Sequence, residues 1–134
     1  MMPNPKILVV DDDVDYVAAI TIVLETNGYE VVAAYDGKEG LEAAKSEMPQ
    51  VILVDLMMNT INEGYELVRN IRSDDRFEGV PLIMVSAAHQ VEEFKNANFA
   101  PDDVWFPIDT FMDKPVDFKV LLGHLDKLIR KEEP

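Results

Sequence analysis

The run Val51-Ile52-Leu53-Val54-Asp55 constrains this chain more than any other stretch, because four apolar residues, three of them β-branched, lead straight into one carboxylate. A continuous apolar run of this length predicts a strand buried on both faces, as in a parallel sheet covered by helices. Lys6-Ile7-Leu8-Val9-Val10 has the same character and ends in Asp11-Asp12-Asp13. Both runs therefore deliver acids to the carboxyl edge of a sheet, which is where ligands bind in open parallel architectures.

The segments between the runs supply crossovers. Val14, Val17, Ala18, Thr21 and Leu24 fall at helical spacing, and Asn27-Gly28 predicts the stop. Glu30–Ala34 predicts a second strand, and Asp36 caps a helix carrying Leu41, Ala44 and Met48 that Pro49 ends. Past Asp55, Gly64 opens a helix with Leu67, Val68 and Ile71 on one face. A fourth strand, Pro81–Val85, tolerates proline as its first residue and delivers Ser86. Val91–Asn98 predicts a short helix anchored by Phe94, and Phe99–Pro107, with prolines and aromatics in no clear period, predicts an irregular loop. Thr110–Met112 reads as a short fifth strand feeding Asp113-Lys114-Pro115, and Phe118, Leu121, Leu122, Leu125, Leu128 and Ile129 mark the last helix. The expected fold is α/β: one doubly wound (βα)5 domain over residues 1–134, a five-stranded parallel sheet with helices on both faces and no output domain.

Charge and composition narrow the function classes. Asp and Glu number 26 against 12 Lys and Arg, and the formal net charge of −14 repels nucleic-acid phosphates and anionic membrane, so no direct nucleic-acid or membrane partner is expected. Cysteine is absent, which excludes a disulfide framework, a thiolate zinc site and a thiol nucleophile. No apolar run approaches the ~20 residues that span a bilayer. The expected location is the cytoplasm.

Listing what each strand presents at its carboxyl end gives Asp11 and Asp12 after the first, Asp55 after the third, Ser86 after the fourth and Lys114 after the fifth. Singly, each has a plainer reading, since acids after strands are often caps and Lys-Pro is common at loop starts. Jointly they make a site. Three neighbouring carboxylates call for a cation, and oxygen ligands without His or Cys point to Mg2+, with Mn2+ as a substitute, held directly by Asp12 and Asp55. With Lys114 opposite, such a cavity suits a transferring phosphoryl group, Asp55 attacking and Ser86 donating to a phosphoryl oxygen.

Val9-Val10-Asp11-Asp12-Asp13, Val51 to Asp55, Val85-Ser86-Ala87 and Asp113-Lys114-Pro115-Val116 together resemble the signature of bacterial two-component response-regulator receiver domains, across essentially the whole chain. The resemblance implies the flavodoxin-like strand order 2-1-3-4-5. It implies that Asp55 accepts a phosphoryl group from a sensor histidine kinase or phosphotransfer protein. Asp11 through a water, Asp12, Asp55 and the backbone carbonyl of Met57 would hold Mg2+, while Ser86 and Lys114 engage the phosphate. Phe111 matches the aromatic switch position. The face around the fourth helix, fifth strand and fifth helix would switch and would serve a possible homodimer. Such a protein is a signalling phosphoacceptor that promotes its own phosphorylation and dephosphorylation, rather than a turnover enzyme.

Three departures from the family pattern stand out. Asn59 replaces the usual proline four residues after Asp55, and Gly64 comes one residue late. The Ser86-to-Lys114 interval is long, and its surplus includes Asn98 to Pro107 with Trp105, which reads either as a specificity surface or as cover for the end of the sheet. Met57 and Ala88 flank the site and cannot orient an attacking water, which predicts a slowly hydrolysed aspartyl phosphate. Neither His89 nor His124 is assigned a role.

The alternatives are weaker. A receiver-fold binding module that is never phosphorylated would be expected to have lost part of the set of acids, Ser86 and Lys114. A flavodoxin needs a Gly/Ser/Thr-rich phosphate cradle where Asp11-Asp12-Asp13 stands. An aspartyl phosphohydrolase needs Asp-x-Asp where Asp55-Leu56-Met57 stands.

Overall fold

The computed structural model describes residues 4–60 and 62–130. Its elements are β1 (Lys6–Val10), α1 (Val14–Thr26), β2 (Glu30–Ala34), α2 (Gly37–Glu47), β3 (Val51–Val54), α3 (Glu63–Arg72), β4 (Leu82–Ser86), β5 (Thr110–Asp113) and α4 (Phe118–Arg130). All five strands are parallel, in the order β2-β1-β3-β4-β5. The most apolar run, β3, lies at the centre between β1 and β4, and all four of its residues are buried.

Alternation along the strands builds two cores. Ile7, Val9, Val51, Leu53, Ile83 and Val85 face α1 and α4, packing with Val17, Ile20, Leu24, Leu121 and Leu125. Leu8, Val10, Ile52, Val54, Leu82 and Met84 face α2 and α3, packing with Ala44, Leu67, Val68 and Ile71. Asp13 and Asp36 cap α1 and α2, accepting from the N–H groups of Tyr16 and Glu39. Gly28 leaves α1 with φ of +89°, a conformation that favours glycine. Only part of the expected apolar stripe of α1 is inward. Val14 is 62% exposed, and the buried line is Val17, Ile20 and Leu24.

One expected element does not form. Between β4 and β5 the described residues contain no α-helix: Ala88–Gln90 and Glu92–Phe94 are single 3₁₀ turns, so the described residues form five strands and four α-helices, and the fourth crossover lacks its helix. The predicted helix over Val91–Asn98 fails for local reasons. Helix nucleation is unfavourable in short segments, and Asn96 and Asn98 are weak helix formers. Asn98 Oδ1 instead accepts from the Ala100 N–H at 3.0 Å, a local turn that competes with helix. Phe94 nonetheless packs on the core as expected. The face expected around a fourth helix, fifth strand and fifth helix accordingly has a non-helical first member, and that is the face on which the homodimer was expected.

Residues 99–107 are irregular, as expected, but not slack. Asp102 and Phe106 exchange backbone hydrogen bonds of 2.8 and 2.9 Å, and Asp102 Oδ1 accepts from Val104 and Trp105. The two readings of this insert divide between neighbouring residues. Phe106 stacks on Tyr65 and covers the α2–α3 core, whereas Trp105 is 69% exposed.

Candidate functional site

Continuation of the ladder beyond the strand ends places the first two acids. The Asp11 N–H donates to Ala34 O at 3.1 Å and the Asp55 N–H to Val10 O at 3.0 Å, so both backbones are pinned where the sheet stops. Asp11 and Asp55 are 2% and 7% exposed, while Asp12 faces solvent. Carboxylate oxygens of Asp11, Asp12 and Asp55 lie within 4.8 Å of one another. Lys114 Nζ reaches in from the end of β5, 2.6 Å from Asp11 Oδ2 and 3.5 Å from Asp55 Oδ2. Its backbone is held from both sides: the N–H donates to Ser86 O at 2.9 Å, and Gln90 Nε2 donates to the Lys114 carbonyl at 2.7 Å. Ser86 is fully buried, its Oγ accepting from the Ala88 N–H at 3.2 Å with its hydroxyl facing Asp55.

Burial first, then the neighbouring Asp11 charge, pushes Asp55 up to about 6, and Lys114, Ser86 and the Met57 N–H only partly offset this. Asp11 is also raised, because burial outweighs its bond to Lys114. On Lys114 the balance is reversed: burial disfavours the ammonium, but Asp11 and Asp55 more than compensate, and its net shift is upward. One ammonium thus pairs with two of three clustered carboxylates, leaving a surplus of negative charge partly removed from water. A divalent cation relieves that surplus, and an all-oxygen donor set fits a hard ion such as Mg2+.

The sequence-derived set therefore gathers largely as expected. Asp11, Asp12, Asp55, Ser86 and Lys114 share one mouth. Met57 enters through its N–H, 3.3 Å from Asp55 Oδ1. Phe111 lies off the mouth, paired in register with Met84 and stacked on Phe99 with centroids 4.6 Å apart and planes 18° apart.

The departures in the loop after Asp55 have a physical explanation. An added Cβ on Gly64 would sit 1.9 Å from the Asp55 carbonyl oxygen, so only glycine allows this approach, and its N–H donates to Leu56 O at 2.9 Å. Asn59, unlike proline, has an N–H to give, and Glu63 Oε1 accepts it at 3.0 Å. Glu63 Oε2 accepts from Gly37 at 2.5 Å, tying the loop to the start of α2.

Two residues escaped the sequence reading. His89 is half-buried, with Nδ1 2.5 Å from Asp113 Oδ1 and Nε2 2.9 Å from the Ala97 carbonyl, its ring against those of both Phe99 and Phe111. Its signal was faint: three residues past Ser86, facing an acid next to Lys114. Tyr16, in the first turn of α1, sets its ring under Lys114 Nζ, 4.2 Å from the centroid.

Residues 7–126 match the response regulator receiver domain. Response regulator ArlR of Staphylococcus saprophyticus is 33% identical over 128 residues, covering 95% of this chain and 53% of its own. RpaA of Synechocystis, a DNA-binding dual master transcriptional regulator, is 29% identical over 130 residues, covering 96% and 51%. The chain thus spans about half the length of these two relatives. Protein PilH of Pseudomonas aeruginosa, 29% identical, matches over 92% of this chain and 97% of its own. Among solved structures, a CheY-like receiver domain from Methanospirillum hungatei has a TM-score of 0.75 at 29% identity, covering 97% of this chain and 98% of that one. The receiver domain of Francisella response regulator 1452 has a TM-score of 0.78 at 28% identity, covering 97% and 100%. Acids, hydroxyl and lysine on four strand ends, in this strand order and with this match over nearly the whole length, have one reading: the chain belongs to the response regulator receiver domains of two-component systems.

Proposed function

We propose that Asp55 accepts a phosphoryl group from a phosphohistidine of a sensor kinase or phosphotransfer protein. The observation that carries this is the placement of Lys114 Nζ between Asp11 and Asp55, at 2.6 and 3.5 Å, beside a third carboxylate and a buried hydroxyl. In the transfer, an Asp55 oxygen attacks phosphorus, the P–N bond breaks, and the donor imidazole nitrogen leaves with the electron pair. At neutral pH Asp55 is predominantly ionised and so nucleophilic, since its pKa is pushed up only to about 6.

Asp12, Asp55, the Met57 backbone carbonyl and, through a water, Asp11 would hold Mg2+, which when bound neutralises charge on phosphoryl oxygens. Lys114 is placed to exchange a carboxylate partner for a phosphoryl oxygen, and the Ser86 hydroxyl to bond another. The switching face is β5, α4 and segment 88–109, with Phe111 and its partners Phe99 and His89 as the moving part. Met57 and Ala88 offer no group to orient water, so the phosphorylated form is long-lived.

Incubation with acetyl phosphate and Mg2+ followed by intact-mass spectrometry tests the reading. One phosphoryl mass is expected on the wild type, lost with EDTA and absent in Asp55→Ala. Unchanged mass in the wild type, or the same gain in Asp55→Ala, sinks it.

A further inference from the structure

Three groups surround the Lys114 ammonium, and two of them change during the proposed reaction. Asp55 becomes an acyl phosphate, and Asp11 is drawn into the shell of the bound cation. The third is the face of Tyr16, 4.2 Å from Nζ. We propose that the Tyr16 ring is a positioning residue for Lys114, a seat that keeps the ammonium over Asp55 while its two anionic partners are exchanged. This rests on the phosphoacceptor reading.

A lysine ammonium ends a flexible four-carbon stem, and on losing a carboxylate partner it gains freedom to swing into water. A ring face attracts the cation through its quadrupole at this distance, and does so whichever anion stands opposite. Contact with Tyr16 thus limits the excursion without competing for phosphoryl oxygens. The ring is locked in register with the acids by two bonds. Asp13 Oδ1 accepts from the Tyr16 N–H at 3.0 Å, and the Asp13 N–H donates to Asp11 Oδ1 at 3.0 Å.

Packing alone does not explain a tyrosine here. The ring edges the α1–α4 core, but its Oη is buried and meets no acceptor among the described residues. An aliphatic side chain would fill the space without stranding a hydroxyl, a burial that is normally unfavourable. Burial and the charges of Asp11, Asp55 and Asp13 push the phenol up, so the hydroxyl stays protonated and the ring neutral. What tyrosine supplies and an aliphatic cannot is the π face. Phenylalanine is therefore the conservative replacement, and leucine the one that removes the seat.

The experiment compares wild type, Tyr16→Phe and Tyr16→Leu, each checked for folding by circular dichroism, with Tyr16→Met replacing the leucine variant should that one unfold. The first readout is the NMR shift of the Lys114 side chain in the unphosphorylated, metal-free protein. The second is the rate of phosphoryl incorporation from acetyl phosphate with Mg2+. Expected are an upfield ring-current shift of the Lys114 methylene protons in wild type and Tyr16→Phe, its loss in the aliphatic variant, and incorporation about three- to tenfold slower in that variant alone. A folded aliphatic variant with wild-type rate, or a phenylalanine variant as slow as the aliphatic one, overturns the proposal. Should no form of the protein take up phosphate, the phosphoacceptor reading fails, and the Lys114 shift still decides whether the ring seats the ammonium.

Discussion

The two faces of the sheet are covered by different means. On one, α1 and α4 lay regular apolar stripes over Ile7, Val9, Leu53 and Val85. On the other, α2 and α3 cover only part of the sheet, and the strip where a further helix was expected is closed by Phe94, Phe99, Phe106 and Ile108 from a segment without α-helix. A helix satisfies its own backbone groups, whereas irregular chain must borrow partners. Here the donors come from α3. Tyr65 Oη donates to Trp105 O at 2.6 Å, Arg69 to Val104 O at 3.3 Å, and Arg72 to Pro107 O and Phe77 O, both at 3.1 Å, and to Asp109 at 3.2 Å. The difference shows that a crossover can dispense with its helix when a neighbour supplies hydrogen bonds and aromatic rings supply the cover. The result is less tightly filled: a cleft of about 250 Å³ remains among Leu56, Tyr65, Phe94, Phe99 and Phe106.

Truncation on the regular face is expected to have the largest effect. Leu121 of α4 is fully buried against the sheet, and Leu121→Ala should lower unfolding free energy by ~3 kcal/mol, lost transfer energy plus a cavity that fixed helices cannot close. Urea denaturation reads it as a lower midpoint with an unchanged slope. A loss no larger than that of Phe99→Ala, measured alongside, would mean that the two faces are equally rigid and the contrast is wrong.

Next comes the borrowed bonding. Arg72→Ala removes donors to two carbonyls and the partner of Asp109, with an expected loss of about 2 kcal/mol. Arg72→Lys should recover little, since an ammonium cannot reproduce the fork. Hydrogen exchange should quicken over 97–109 before it does in α1 or α4, and a uniform increase over the whole chain would count against segment 88–109 being a separately held unit.

How far sequence reaches follows the same division. The strands and the α1 and α4 helices were legible because burial on a regular face imposes a period on the residues. The mouth was legible because a parallel sheet puts all strand ends on one side, so Asp11, Asp12, Asp55, Ser86 and Lys114 could be gathered from chain position alone. Segment 88–109 was legible only as irregular over 99–107, because what orders it is partners far along the chain: Tyr65 and Trp105, Arg72 and Asp109, His89 and Asp113. Tyr16 was missed for a related reason. It lies off the helical stripe of Val14, Val17, Ala18, Thr21 and Leu24, and nothing local reports that a lysine near the end of the chain lands on its ring.

The smallest effect expected is a pH dependence confined to the irregular face. Both His89 ring nitrogens face acceptors, the Asp113 carboxylate and the Ala97 carbonyl, and a neutral imidazole has only one N–H to offer. The bond to Ala97 and then the carboxylate of Asp113 accordingly raise the His89 pKa above the ordinary value of 6.5. A group raised on folding contributes stability that is complete below its unfolded pKa and is lost as pH climbs through the folded one. His89→Gln keeps one donor and does not titrate. The melting temperature of the wild type should therefore exceed that of His89→Gln most below the ordinary histidine pKa of 6.5, and the gap should narrow as the pH climbs above it, while Leu121→Ala shows no such trend. NMR titration of the His89 ring, with Ala97 and Phe99 amides moving at the same midpoint, would place the change at the His89 contacts with Asp113 and Ala97. A gap independent of pH would reduce His89 to packing against Phe99 and Phe111, and the irregular face would then be held by fixed donors alone, as the regular face is held by its helices.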